Sequence, residues 1–226
     1  MKQLQSTKDY IASPELLRVA EIARALQKPL LIKGELDIAA VPTNVASVLY
    51  NKTEGQVEIL ALNTLGVLYV VENGDSIQSI EDLRGKTVYS TGQGATPEYA
   101  LNDILSENGM TVGTDVTVEY KSEHSELAAL LAAGQADIAV LPQPFVTSVL
   151  TQNPDVRIAL DLTEEWDKVS PDSALVTGVV VARKEFVEQN EAAFNEFLED
   201  YKASTEFVNA NVDEAAALVA GYEIVP

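Results

Sequence analysis

Short apolar runs along this chain alternate with stretches of helical periodicity, and one such pairing occurs twice. Gly34-Glu-Leu-Asp37-Ile38-Ala39-Ala-Val-Pro42 recurs as Gly134-Gln-Ala-Asp137-Ile138-Ala139-Val-Leu-Pro142, an offset of 100 positions. Each copy leads into an apolar helix-like run, Val45-Ala-Ser-Val-Leu49 and Val146-Thr-Ser-Val-Leu150. Each run then meets a second strand, Val57-Glu-Ile-Leu-Ala-Leu62 and Val156-Arg-Ile-Ala-Leu-Asp-Leu162. A match that persists through strand, helix and second strand reads as an internal repeat. Gly34 and Gly134 suit the residue after a helix, where left-handed dihedrals are needed. The Asp-Ile-Ala run is short and apolar, as expected of a buried strand. Pro42 and Pro142 end it, because proline cannot donate to the ladder. The helix that follows points its first N–H groups into the space beyond the strand end.

The rest of the pattern continues the alternation. Ser13-Pro14-Glu15 predicts a helix start, and Leu16, Leu17, Ala20, Ala23 and Leu26 give that helix one apolar stripe. Strands are predicted over 66–72, 87–89, 116–120 and 174–182, and helices over 96–108, 125–134, 185–209 as one helix or a pair, and 213–220. Residues 81–86 read as a short helical turn and loop. This order predicts an α/β protein with mostly parallel sheets. Boundaries near 72–76 and 171–177 make the organisation discontinuous: residues 1–74 plus 176–226 form one lobe, and 75–175 form a second inserted into it.

Composition narrows the function classes. The 226 residues are 46% hydrophobic, enough for a real core. The formal charge is −20, which repels nucleic acid and anionic lipid alike. The absence of cysteine excludes disulfides, zinc-thiolate sites and thiol catalysis. No apolar run approaches the ~18 residues of a membrane helix. Met1 to Tyr10 lacks the basic-then-apolar pattern of a signal peptide.

Candidate chemistry centres on Thr91-Gly92-Gln93-Gly94-Ala95-Thr96. Two glycines let backbone approach a ligand, and the helix opening at Thr96 offers free N–H groups. The segment lacks the Gly-Lys-Ser/Thr ending of a P-loop, and it reads equally as a plain Gly-rich βα turn with a threonine cap. His124, the sole histidine, reads as a solvated cap-region residue. Glu164-Glu165 and Glu196-Phe-Leu-Glu199-Asp200 read as solvated helix faces. Trp166 reads as packing, with Tyr89 as further aromatic surface. No Gly-x-Ser-x-Gly motif appears, and residues 1–33 lack the basic helix-turn-helix of a regulator. No catalytic residue, metal site or cofactor is predicted.

Four segments together resemble the periplasmic-type solute-binding proteins of ABC importers, in the nitrate, sulfonate and thiamine-precursor branch. They are Gly34-Glu-Leu-Asp-Ile-Ala-Ala-Val-Pro-Thr-Asn44, Ser79-Ile-Glu-Asp-Leu-Arg-Gly-Lys-Thr-Val88, Ser90-Thr-Gly-Gln-Gly-Ala-Thr-Pro97 and Ala133-Gly-Gln-Ala-Asp-Ile-Ala-Val-Leu-Pro142. The likeness runs over about 33–226. It implies a two-lobed periplasmic-binding-protein-like (type II) fold that closes on one small molecule. It further implies an extracytoplasmic location, a transporter permease as partner and no enzymatic activity. The ligand contacts implied are Thr43 and Asn44, Asn63 and Thr64, Thr91 to Thr96 (Thr91, Gly92, Gln93, Gly94, Ala95, Thr96), Gln143 and Pro144, and Thr177 with Gly178. Asn44, Asn63 and Gln143 fit capping or turn roles as well. The chain's five arginines all fall outside these positions, which favours a neutral or weakly charged ligand.

The stretch from Asp9-Tyr-Ile-Ala-Ser-Pro-Glu-Leu16 through Lys28-Pro-Leu-Leu-Ile-Lys-Gly-Glu35 instead resembles the entry to MoxR-like AAA-type ATPases, with Leu36-Asp37-Ile38 where a Walker A loop would follow. The expectation is therefore a chimeric or truncated chain with an incomplete first lobe and weakened ligand binding.

Overall fold

The computed structural model describes residues 36 to 222. The helix expected at 13–26, the ATPase-like segment, Gly34 and residues 223–226 lie outside that range. The chain divides into two compact units: Met1–Ala39, Leu49–Glu58 and Ala182–Pro226 form one, and Ala40–Val48 with Ile59–Val181 form the larger.

The larger unit is built on a five-stranded sheet of order β5-β4-β6-β3-β7. Its strands are β3 (Leu68–Asn73), β4 (Thr87–Thr91), β5 (Thr117–Lys121), β6 (Ile138–Pro142) and β7 (Val156–Asp161). Alternation along β6 assigns both faces: Ile138 and Val140 join one buried cluster, and Ala139 and Leu141 join the other. The first cluster packs Leu68, Val70 and Val88 under α2 (Thr96–Glu107) and α5 (Leu162–Val169), through Leu101, Ile104, Leu105 and Leu162. The second packs Val71 and Tyr69 under α3 (His124–Ala132) and α4 (Phe145–Gln152), through Leu127, Leu131, Val146 and Val149. A sheet covered on both sides requires the continuous apolar runs seen in the sequence.

The remaining strands, β1 (Ile38–Pro42), β2 (Val57–Leu65) and β8 (Val176–Arg183), form a three-stranded sheet of order β1-β8-β2. α1 (Thr43–Lys52) links β1 to β2. α6 (Lys184–Gln189), α7 (Glu191–Ala210) and α8 (Val212–Gly221) follow β8. The 185–209 stretch is thus a helix pair broken at Asn190. Among the described residues no helix is long and apolar enough to cross a membrane.

Three expectations change. The five-stranded sheet is mixed rather than mostly parallel: β4 runs parallel to β5 and β6, while β3 is antiparallel to both β6 and β7. β3 lies in the five-stranded sheet, although its residues had been grouped with the outer segments. Apolar periodicity marks a strand but not the direction in which it pairs. Glu164 and Glu165 do lie on a helix, α5, but Glu165 is buried rather than solvated. Leu162, Glu165, Trp166 and Val169 occupy one helical face, so burial of the leucine carries Glu165 inward; Lys168 Nζ bonds its carboxylate at 2.7 Å. Trp166 packs against the same core, as expected, and donates Nε1–H to Ser173 Oγ at 2.8 Å.

The end of β3 carries a second buried carboxylate. Glu72 is 2% exposed. Its carboxylate accepts from Ser76 N at 2.9 Å, the Ser76 hydroxyl, Ile77 N at 3.1 Å and Arg157 Nη2 at 2.8 Å. Arg157 also donates to Gly74 O and Ile77 O, tying β7 to the segment after β3. Burial alone raises the Glu72 carboxyl pKa, but the bonds from Ser76, Ile77 and Arg157 outweigh it and hold the carboxyl below its ordinary value.

Two outcomes follow. Arg157→Ala leaves a buried carboxylate short of its charged partner and lowers unfolding free energy by about 2–3 kcal/mol in urea titrations. A depressed folded pKa means that Glu72 stabilises fully above its unfolded value, near ~4.3, and less as pH falls below it. Wild-type and Glu72→Gln stabilities therefore converge on acidification below about pH 4.

Candidate functional site

The predicted site residues fall into two hydrogen-bonded groups, both in the larger unit. The first gathers around the start of β8. Thr43 Oγ1 donates to Val176 O at 2.8 Å, Thr177 Oγ1 donates to Thr64 O at 3.3 Å, and Thr64 Oγ1 donates to Asn63 Oδ1 at 3.2 Å. Gly178 lies close under these side chains: a Cβ there would lie 2.7 Å from Asn63 Oδ1 and 2.9 Å from Thr64 Oγ1, so both would have to shift. Thr43 caps the join between β1 and α1 and touches the neighbouring strand in doing so.

The second group gathers around the loop between β4 and α2. Gly92 and Gly94 adopt φ of 69° and 75°, which lets the chain leave β4 and turn into α2 within five residues. Asn44 reaches this loop with both ends of its amide. Nδ2 donates to Gly94 O at 3.3 Å, and Oδ1 accepts from Thr96 Oγ1 at 3.1 Å. The Glu98 carboxylate accepts the Gly94 N–H from the first turn of α2. Gln93 is exposed at the loop tip. Gln143 Oε1 accepts from Thr147 N and Oγ1, so its side chain serves the first turn of α4. Gln143 and Pro144 are themselves exposed.

His124 departs from expectation. It is half-buried, its Nδ1 shares a 2.5 Å hydrogen bond with Thr91 Oγ1, and its ring lies 5.3 Å from that of Phe145. Thr91 itself is 2% exposed. Burial lowers the imidazole pKa below its ordinary value, and the Glu123 charge offsets part of that. The sequence signal was present: His124 opens the helix after β5, just as Thr96 opens the helix after β4. Tyr89, on the face packed by α3 and α4, lies under Lys121 Nζ at 5.2 Å from its ring centre.

A twisted mixed sheet with helices on both faces, and polar loops at the carboxyl ends of its strands, is the architecture of an α/β ligand-binding protein. Comparisons with known proteins agree. The structure superposes on that of an ABC transporter protein from Parabacteroides distasonis with a TM-score of 0.70 and 25% identity, covering 95% of this chain and 67% of that one. It matches the fold of the periplasmic aliphatic sulphonate binding protein SsuA from Escherichia coli with a TM-score of 0.68 and 17% identity, over 90% of this chain and 66% of that one. A family model described as ABC transporter, phosphonate, periplasmic substrate-binding protein matches residues 21–222, and the chain belongs to that family. A putative binding protein of Brucella abortus is 24% identical over 198 residues, 87% of this chain and 58% of the relative. The chain thus spans less than two thirds of the length of the curated relatives it matches. The family match takes in residues 21–33, which the sequence had set apart as ATPase-like; the comparisons lend that likeness and the chimera no support.

With one histidine in the chain, proton NMR reads its titration without assignment. The midpoint falls below the ~6.5 of a free side chain, and Phe145→Ala, which opens the ring to water, moves it back toward that value.

Proposed function

We propose that this chain is the solute-capturing part of an ABC importer and holds a small, neutral or weakly charged molecule beside the loop between β4 and α2. The observation that carries this reading is the way Asn44 and His124 converge on that loop. Asn44 spans Gly94 and Thr96, and His124 fixes Thr91, so each end of a six-residue polar turn is held by a side chain from elsewhere. Held polar groups with backbone N–H and C=O between them suit recognition of a small polar solute at low entropic cost. Thr43, Asn63, Thr64, Thr177 and Gly178 supply the second set of contacts; Gln143 and Pro144 sit at the equivalent turn of the repeat. The family's description supports a transporter permease as partner, an extracytoplasmic location and a binding role, and we assign the site no catalytic step.

A thermal-shift screen of pyrimidines, aromatic acids, sulfonates and nitrate tests this, because a ligand of the native state raises its stability. A neutral or weakly charged member raises the melting temperature. Asn44→Ala and Thr91→Val each weaken that ligand by a few-fold to about tenfold in calorimetry, the effect of one lost hydrogen bond. Unchanged affinity in both variants would place the ligand elsewhere.

A further inference from the structure

Anion sites on this kind of scaffold depend on a free helix N-terminus: unpaired N–H groups point at the ligand and the helix dipole favours negative charge. In this chain a carboxylate already faces the loop that leads into α2. Glu98, in the helix's first turn, turns its carboxylate back onto the Gly94 N–H. It therefore occupies a loop donor and places a carboxylate beside that loop. The next peptide is held too, since Gly94 O accepts from Asn44 Nδ2. Both backbone polar groups of Gly94, in the two successive peptide units it joins, are thus already engaged within the protein.

The surrounding charges do not offset this. Each arginine among the described residues is engaged elsewhere: Arg84 with Asp115, Arg157 with Glu72, and Arg183 with Asp37 and Glu185. Lys121, which pairs with Thr91 across β4 and β5, carries its ammonium over the Tyr89 ring. The neighbouring helix α3 brings Glu123 at its cap and Glu126 in its first turn. The Tyr120 hydroxyl, buried at the end of β5, has its pKa pushed up to about 12 by burial and then by the Glu98 carboxylate, so that charge is felt beneath the loop.

We propose that Glu98 is a positioning residue that sets the charge selectivity of the site: by clamping Gly94 and supplying fixed negative charge, it turns away phosphonate- and sulfonate-type anions and leaves the loop to neutral or cationic solutes. This rests on the reading of the 91–96 loop as ligand-contacting, and it separates the chain from the anion named in its family's description. A purely capping Glu98 would change stability and leave anion affinity untouched.

The test is calorimetric titration of the chain with methylphosphonate and methanesulfonate at neutral pH and low salt, comparing wild type, Glu98→Gln and Glu98→Ala. Gln keeps an acceptor for Gly94 and removes the charge; Ala removes both. Expected are weak or no binding by wild type, a gain of at least about tenfold in Glu98→Gln from loss of one like charge, and faster amide exchange at Gly94 in Glu98→Ala only. The proposal is overturned if wild type binds either anion as tightly as Glu98→Gln does, and equally if neither protein binds them, since the charge is then not what keeps anions out. The thermal-shift screen with neutral solutes judges the underlying functional reading separately, whichever way the anion titrations fall.

Discussion

The structure depends on one repeated constraint: each copy of the strand-helix-strand repeat takes a foreign strand, β3 or β8, between its own two strands. β1 and β2 flank β8, and β6 and β7 flank β3. A helix about 10 Å wide, crossing over a sheet whose strands lie ~4.8 Å apart, covers roughly two strand spacings. A gap one strand wide is thus left under the crossover, and an antiparallel strand fills it. One anchoring bond is the same in the two copies: Asp37 O accepts from Arg183 N as Asp137 O accepts from Asn73 N. Just past the proline the means differ but the place does not: the Thr43 hydroxyl donates to Val176 O, and the Gln143 backbone N–H donates to Val67 O, each at the start of the inserted strand. The Asp and the Pro of the repeated motif therefore mark the two ends of the inserted strand's berth.

The polar loops gain their order from this arrangement. A strand that ends at Pro42 or Pro142 hands its chain to a helix within one or two residues, so Thr43, Asn44, Gln143 and Pro144 are fixed by rigid neighbours on both sides. The loop after β4 has no proline stop and needs side chains to hold it, which Asn44, Glu98 and His124 provide. Its electrostatics follow from the same economy: with the arginines among the described residues held in structural pairs, the loop's own helix supplies the charge, and that charge is negative.

Charge inside the fold appears where geometry leaves no alternative. Glu72 ends β3 at the point where the chain turns toward β4, and its carboxylate collects the backbone donors of that turn. Glu165 is carried inward by the leucine and tryptophan that share its helical face. In each case a nearby cation or a set of N–H groups makes the burial tolerable.

What the sequence determined by itself was whatever depends on neighbours along the chain. The repeat, the α/β class, the Gly-rich loop after β4 and the helix starts were legible because periodicity, proline stops and glycine turns act within a few residues. The second copy of the motif is buried along most of its strand, whereas the first, with nearly the same residues, is mostly half-exposed. That difference, the antiparallel entry of β3 and β8, the burial of Glu72 and Glu165, and the partnership of Thr91 with His124 belong to the tertiary structure. Each depends on segments 30 or more positions away, or on which face of an element meets the core, and local pattern carries no record of either.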